Sequence, residues 1–336
     1  MYKKIGQQSM RFSLPPIVRE TATIVGPKEG DGPLADCFDK VLSDTLNGCE
    51  SWEKCESSML EWSIKSVVDK AQLSLKQVDY ILAGDLLNQL MSTHFAVRDL
   101  HCPFIGLYGA CSSMALSMIM GAMVIDGGFA HNVVGAASSH HDTAERQYRY
   151  PTELGVQRPL IAQWTVTGSG AVLLSDEKTL ELPKITTATV GKIVDMGISD
   201  PDSMGPAMAP AAVDTIVQHF HDTGRDANYY DGIYTGDLGK IGKQLVIELL
   251  DEAGYAVGDR YEDCGCLIYR DDQDVHAGAS GCASSAAVFC GLLYKELCKK
   301  NLNKILFIGT GCLHSTTSYQ QNETIPCIAH AAAIEV

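Results

Sequence analysis

One cysteine in this sequence stands where chemistry is possible. Cys111 lies in Gly109-Ala-Cys-Ser-Ser113, after a short apolar run at 104–108 and before a small-residue, apolar stretch at 112–123. An apolar run ending near glycine predicts a buried strand, and the stretch after it a helix. Cys111 is therefore expected at a strand-to-helix elbow, above the sheet edge where open α/β sheets bind ligands. A helix N-terminus favours a thiolate and can bring a cysteine pKa down to about 3.5–7.5. The reaction open to such a thiolate is acyl transfer, provided other residues activate it and stabilise an oxyanion. The remaining cysteines of the twelve are scattered through apolar segments, as expected for buried thiols in a reducing compartment. Cys264-Gly-Cys266 is too tight for a CxxC pair and no second pair completes a zinc site, so no metal is expected.

A second group of residues could hold an anion. Arg146, Arg149 and Arg158 fall in a loop-like segment after a run carrying Ser138, Ser139 and His140. A buried carboxylate needs paired donors, and an arginine fork supplies two at once. Ordinary salt bridges at an interface are the competing role for each of the three. His140 offers a further donor unless it is simply solvated, and Asn88 and Gln89 offer neutral donors unless they start a helix. Asp85 is a pocket candidate, yet it recurs as Asp237 in the other half, which argues for a shared structural task such as helix capping. His219-Gln-His221 reads as helix surface, and residues 203–208 as a methionine-rich loop over the pocket, a partner surface or core filling. No phosphate-binding glycine loop is present, so nucleotide binding has no support.

What positions these residues is a repeat. Asp79-Tyr-Ile-Leu-Ala-Gly-Asp-Leu86 matches Asp231-Gly-Ile-Tyr-Thr-Gly-Asp-Leu238 at five of eight positions. Upstream, Thr21-Ala-Thr-Ile-Val-Gly26 matches Thr187-Ala-Thr-Val-Gly191 with one deletion, and downstream Gly109-Ala-Cys-Ser-Ser113 matches Gly281-Cys-Ala-Ser-Ser285 in character. Three matches in one order predict a duplicated α/β chain, 1–180 and 181–336, with Pro183 near the passage and one shared core. Two copies are too few for a solenoid. The 336 residues carry a net charge of −15, which argues against nucleic acid or an anionic membrane as an electrostatic partner. No apolar run predicts a signal peptide or a membrane span, so synthesis in the cytoplasm is expected.

The elbow cysteine, the duplication, Gly168-Ser-Gly-Ala-Val-Leu-Leu174 and the Ala279-Ser-Gly281 turn resemble the thiolase and ketosynthase III superfamily. That resemblance implies a thiolase-like α/β fold of two pseudo-symmetric halves and a homodimer. The ketosynthase His-Gln-Ala-Asn segment would fall on Gly236-Asp-Leu-Gly239 and the later asparagine near Cys282, so the condensing partners are missing. The thiolase histidine would fall near Val275, with His276 one place off. No catalytic set is assigned, and a cysteine-dependent acyltransferase or condensing enzyme stands as the alternative. More narrowly, Ala83-Gly-Asp-Leu-Leu-Asn-Gln89, Thr143-Ala-Glu-Arg-Gln-Tyr-Arg-Tyr-Pro151, Met208-Ala-Pro-Ala-Ala212 and Ile325-Pro-Cys-Ile-Ala-His330 resemble the stage V sporulation protein AD family. This second resemblance implies binding of dipicolinic acid (pyridine-2,6-dicarboxylate), in company with calcium, during uptake into the spore. It also implies partnership with the membrane SpoVA proteins at the spore inner membrane. On this reading Cys111, Asp85, Asn88, Gln89, His140, Arg146, Arg149 and Arg158 are the ligand-binding candidates, and Cys111 is expected to stay a neutral thiol beside a dianion.

Overall fold

The computed structural model describes residues 3–148, 158–178 and 181–336. Its first half runs β1 (Ile17–Val25), α1 (Trp52–Lys70), β2 (Tyr80–Gly84), α2 (Met91–Val97), β3 (Phe104–Gly106), α3 (Ser113–Asp126), β4 (Asn132–Ser139), α4 (His141–Tyr148) and β5 (Gly168–Ser175). The second half repeats the plan with β6 (Lys184–Val190), α5 (Met204–Thr223), β7 (Gly232–Thr235), α6 (Gly239–Glu252), β8 (Tyr261–Asp263), α7 (Cys282–Val288), β9 (Lys304–Cys312) and β10 (Cys327–Glu335).

The strand order states the duplication directly. One half is ordered β3-β2-β4-β5-β1 and the other β8-β7-β9-β10-β6; β1 meets β6 at the pair Ile17 and Lys184, and residues Ser9–Arg11 of the first half also pair with β6. In each, three parallel strands are followed by two antiparallel steps. The repeated aspartates that begin the matching strings do the same work twice. Asp79 Oδ2 accepts the backbone N–H groups of His131 and Asn132 at 2.7 and 2.9 Å, and Asp231 Oδ2 accepts those of Asn303 and Lys304 at 2.7 and 3.0 Å. Each carboxylate thus ties the start of the central strand to its neighbour.

Between the sheets lie α3 and α7, the helices that follow the two elbows. Every residue of α7 is buried and most of α3 is too, and α3 keeps only a narrow open stripe through Leu116, Met120, Met123 and Val124. Small side chains allow this close fit. A Cβ placed on Gly170 of β5 would lie 2.7 Å from the Ala286 carbonyl oxygen, and one on Gly309 of β9 would lie 2.8 Å from Ala115 Cβ. One core cluster joins residues of both halves, including Met118, Val172, Phe289 and Phe307.

Two segments read as loops are helical, although the core-filling alternative for residues 203–208 holds at Met208. The segment carrying Arg146 is not a loop but the helix α4, as the helix-favouring run Ala144-Glu-Arg-Gln147 allows. Residues 203–208 are the start of α5, where Pro206 sits in the first turn and Met208 is buried in the core. Because Gly170 and Gly309 face helix atoms that cannot retreat, Gly170→Ala and Gly309→Ala should each lower the unfolding free energy by about 1–3 kcal/mol. Urea titration of the two variants checks this, and a loss at one position only would break the equivalence of the halves.

Candidate functional site: the Cys111 elbow

The elbow is built on a backbone turn that side chains rarely adopt. Ala110 has φ +48°, and Ser112 and Ser113 donate back to the carbonyls of Gly109 and Ala110 at 2.6 and 2.7 Å. This turn presents Cys111 to a pocket walled by Leu86, Tyr108, Glu145, Met204, Gly281 and His314. The cavity is small, about 40 Å³, an order of magnitude below the roughly 300–1,000 Å³ of ordinary small-molecule sites.

Beneath the thiol lies Asp237, a residue sequence reasoning had treated as a cap. Its Oδ1 accepts from Thr310 Oγ1 at 2.7 Å, its Oδ2 accepts from Gly281 N at 2.9 Å, and the Cys111 thiol donates to the same carboxyl group. Burial raises the Asp237 carboxyl to about 6, against the pull of these donors. Burial also pushes the Cys111 thiol well above its usual range, and the Asp237 charge pushes it further. The helix-terminus argument for a thiolate therefore fails, because desolvation and a facing carboxylate outweigh the helix dipole. Cys282 follows the equivalent second-half turn, and its thiol donates to the Ala110 carbonyl at 3.0 Å.

Asp85 occupies the corresponding strand end of the first half but does a different job. Its oxygens accept from Leu87 N and Thr93 N, each at 2.7 Å, and from Thr93 Oγ1 at 2.5 Å. It thereby satisfies an orphan donor in the first turn of α2. In the second half that service falls to Asp263, which accepts from Leu238 N and Gly239 N, both at 2.9 Å, at the start of α6. Asp85 is wholly buried beside Glu56 and is not among the residues lining the pocket. Glu56 accepts from Ser138 Oγ at 3.2 Å and Thr143 Oγ1 at 2.8 Å, which ties α1 to the start of α4. Burial, reinforced by the Asp85 charge, raises the Glu56 carboxyl to about 8.

The remaining candidates are dispersed. His140 is fully buried, with Nε2 donating to the Thr45 carbonyl at 2.7 Å and Nδ1 accepting from Asp142 N at 3.2 Å. It is a braced core histidine rather than a solvated one, and burial lowers its pKa. Asn88 and Gln89 are exposed in a turn before α2, where Gln89 has φ +54°. Arg146 lies at the surface, paired with Glu53 above Trp52. Arg149 lies outside the described residues. His276 bonds the Pro159 carbonyl at 2.9 Å and pairs with Asp274, so it does not serve the pocket. His219, read as surface, is instead buried between Thr189 Oγ1 at 2.7 Å and Tyr230 Oη at 2.6 Å, while His221 takes the exposed face.

Arg158 is different. Its side chain is 7 % exposed, Nη2 donates to the Asp274 carbonyl at 2.8 Å and to the Asp274 carboxylate at 3.2 Å, and its Nη1 is buried without an acceptor among the described residues. The guanidinium lies 4.7 Å from the Trp164 ring centroid and Lys28 Nζ 4.0 Å from it, while His141 stacks on the same ring at 3.6 Å. Burial lowers the Lys28 pKa, and the Arg158 charge lowers it further. Trp164 immediately precedes Thr165 of the pocket wall, so this cationic cluster adjoins the elbow.

Two duplicated halves, paired central helices and an elbow cysteine define a thiolase-like protein. Solved structures of the same architecture include an OleA variant from Xanthomonas campestris, 14 % identical with a TM-score of 0.63 and covering 97 % of this chain and 99 % of that one. Another is 3-oxoacyl-[acyl-carrier-protein] synthase III from Aquifex aeolicus, 11 % identical with a TM-score of 0.54 and covering 96 % and 100 %. The family model of stage V sporulation protein AD (SpoVAD) matches residues 6–335. Stage V sporulation protein AD of Bacillus subtilis (strain 168) is 47 % identical over 333 residues, which cover 99 % of this chain and 98 % of that protein. The chain belongs to the stage V sporulation protein AD family.

Two outcomes follow from these carboxyl groups. Asp237→Asn should speed alkylation of Cys111 by iodoacetamide at pH values well above the Asp237 pKa of about 6, where the wild-type carboxylate is charged. The two proteins should converge below it, and equal rates throughout would mean that Asp237 does not control the thiol. Glu56 keeps its proton in the fold up to about pH 8, whereas the unfolded chain loses it near 4.5. Wild-type stability is therefore lost progressively as pH rises between these values. Glu56→Gln removes this dependence, so its stability relative to wild type should rise over that interval and level off above it, as read by urea unfolding at a series of pH values.

Proposed function

We propose that this sporulation protein binds dipicolinic acid without condensing acyl groups. The observation that carries the reading is the buried Arg158 guanidinium, whose Nη1 has no acceptor among the described residues, set beside Lys28 on one indole ring. Two cations confined at one ring repel each other, Asp274 offsets part of that repulsion, and a further anion between them relieves the rest. A planar pyridine with two carboxylates suits an arginine fork, an ammonium and an aromatic wall together. The elbow pocket suits the dianion less, since Asp237 adds negative charge there and the cavity is small. Cys111 accordingly supports the wall as a neutral thiol and does not attack.

The wider assignment extends the family resemblance. Calcium enters with the ligand's own carboxylates, and membrane SpoVA components act as partners at the spore inner membrane. No helix among the described residues is long and apolar enough to cross a membrane, so such partners supply the passage. A second copy pairs along β3, the terminal strand of its sheet, where Ile105, Tyr108 and nearby Phe95 are exposed.

Calorimetric titration with dipicolinate tests the reading, with pyridine-2-carboxylate, acetyl-CoA and malonyl-CoA as controls. Saturable dipicolinate binding is expected, weakened more than tenfold by Arg158→Ala or Lys28→Met, or about 1.4 kcal/mol. Arg146→Ala should leave it unchanged. Unaltered binding in both the Arg158 and Lys28 variants would place the ligand elsewhere. An acyl group recovered on Cys111 after incubation with the CoA esters would restore the condensing-enzyme reading.

A further inference from the structure

Beside the elbow, two cysteines from different strands face each other. Cys312 and Cys327 are direct partners in the register of β9 and β10, the last pair of that ladder. The adjoining pair is hydrogen-bonded, since Leu313 N donates to the Pro326 carbonyl at 2.9 Å. The same alternation holds at the far end, where Val336 N donates to the Asn303 carbonyl at 2.9 Å. Cys327 turns its own backbone groups the other way, exchanging bonds of 2.8 and 2.9 Å with Val194. Cys312 and Cys327 thus form a non-hydrogen-bonded pair, whose Cα atoms stand about 4.5 Å apart with side chains on one face. Disulfides span Cα separations of about 4.4–6.8 Å.

We infer that Cys312 and Cys327 are a thiol-modification site that closes reversibly to a cross-strand disulfide at the base of the connection 313–326. Both are free thiols in this structure. Cys312 lines the elbow pocket and the groove beside it, which gives small reagents a route to it, while Cys327 lies beside it in the same buried cluster and lines neither cavity. The connection between them carries His314, a wall of the elbow pocket, and the short helix Thr316–Gln320. Closing the bond fixes both ends of that connection to one ladder pair.

The oxidant is a low-molecular-weight disulfide. The Cys312 thiolate attacks one of its sulfurs, forming a mixed disulfide and expelling the first small thiolate. The Cys327 thiolate then attacks the Cys312 sulfur, forming the protein disulfide and expelling the second. The two protein protons end on the two small thiols, so the protein loses two electrons and the reagent gains them. Burial raises both protein thiols above their usual range, so the exchange is slow at neutral pH and faster in mild alkali.

The test treats the folded full-length protein with oxidised glutathione at mildly alkaline pH and maps disulfides by peptide mass without reduction. The expected product has lost two hydrogens, and its cross-linked peptide joins Cys312 to Cys327. Cys111→Ser should still form it, and Cys312→Ser and Cys327→Ser should not. A link from Cys111 to Cys312, or no link in wild type while a urea-unfolded control cross-links, would overturn the inference. Amide exchange across 313–326 should slow at least tenfold on oxidation and recover with dithiothreitol; unchanged exchange would remove its role as a clamp. Neither readout uses dipicolinate, so the result is independent of the proposed ligand.

Discussion

Everything in this molecule is arranged around two central helices, one wholly buried and the other mostly so. α3 and α7 are enclosed between the two sheets, and the fit is set by atoms rather than by general hydrophobicity. At Gly170 and Gly309 the sheet backbone comes so near the helices that a single methyl group would collide. Small residues throughout α7 and in α3 make that approach possible, and dispersion contacts over the enclosed surface reward it. With the helices fixed, the turns that begin them are fixed as well. The elbow at Cys111 and its counterpart at Cys282 are therefore consequences of the core.

The same enclosure decides the elbow's chemistry. A cysteine at a helix N-terminus and partly open to water would lean towards thiolate. Cys111 instead lies on a dry floor, with Asp237 beneath it as hydrogen-bond acceptor and negative neighbour. The N–H of Gly281, a residue of the pocket wall, is already engaged by that carboxyl group at 2.9 Å. One acidic residue thus raises the nucleophile's pKa and occupies a backbone donor.

The sequence carried the duplication openly because repeated contacts keep repeated residues. Asp79 and Asp231 brace equivalent strand starts, so their match reflects a shared task. The elbow was also legible, since a buried strand, a tight turn and a small-residue helix are local signals. Asp237 was not legible. Its partners Cys111 and Gly281 are remote in sequence, and its match with Asp85 suggested the wrong function. The two diverge because the chain leaves β2 through a turn before α2, whereas β7 passes almost directly into α6. The first arrangement leaves Thr93 for Asp85 to cap; the second brings Asp263 to the helix start and frees Asp237 for the elbow. His219 misled for a related reason, since the Thr189 and Tyr230 hydroxyls that satisfy it come from other elements.

The cations obey the same logic of burial. Arg146 and Arg158 look interchangeable in sequence, yet one is spread over the surface against Glu53 and the other is almost wholly covered. Solvent screens the first, and such pairs contribute little either way. Arg158 has lost most of its hydration and recovered only part of it, through Asp274 on one edge. Lys28 adds a second positive charge on the same indole ring, which raises the cost of leaving that edge empty. A buried charge with an unmet donor is therefore better evidence for an anion site than the number of arginines in a segment. The elbow cysteine drew attention because its motif is familiar, but the only partly compensated cations lie at Trp164, where Asp274 pairs one edge of Arg158.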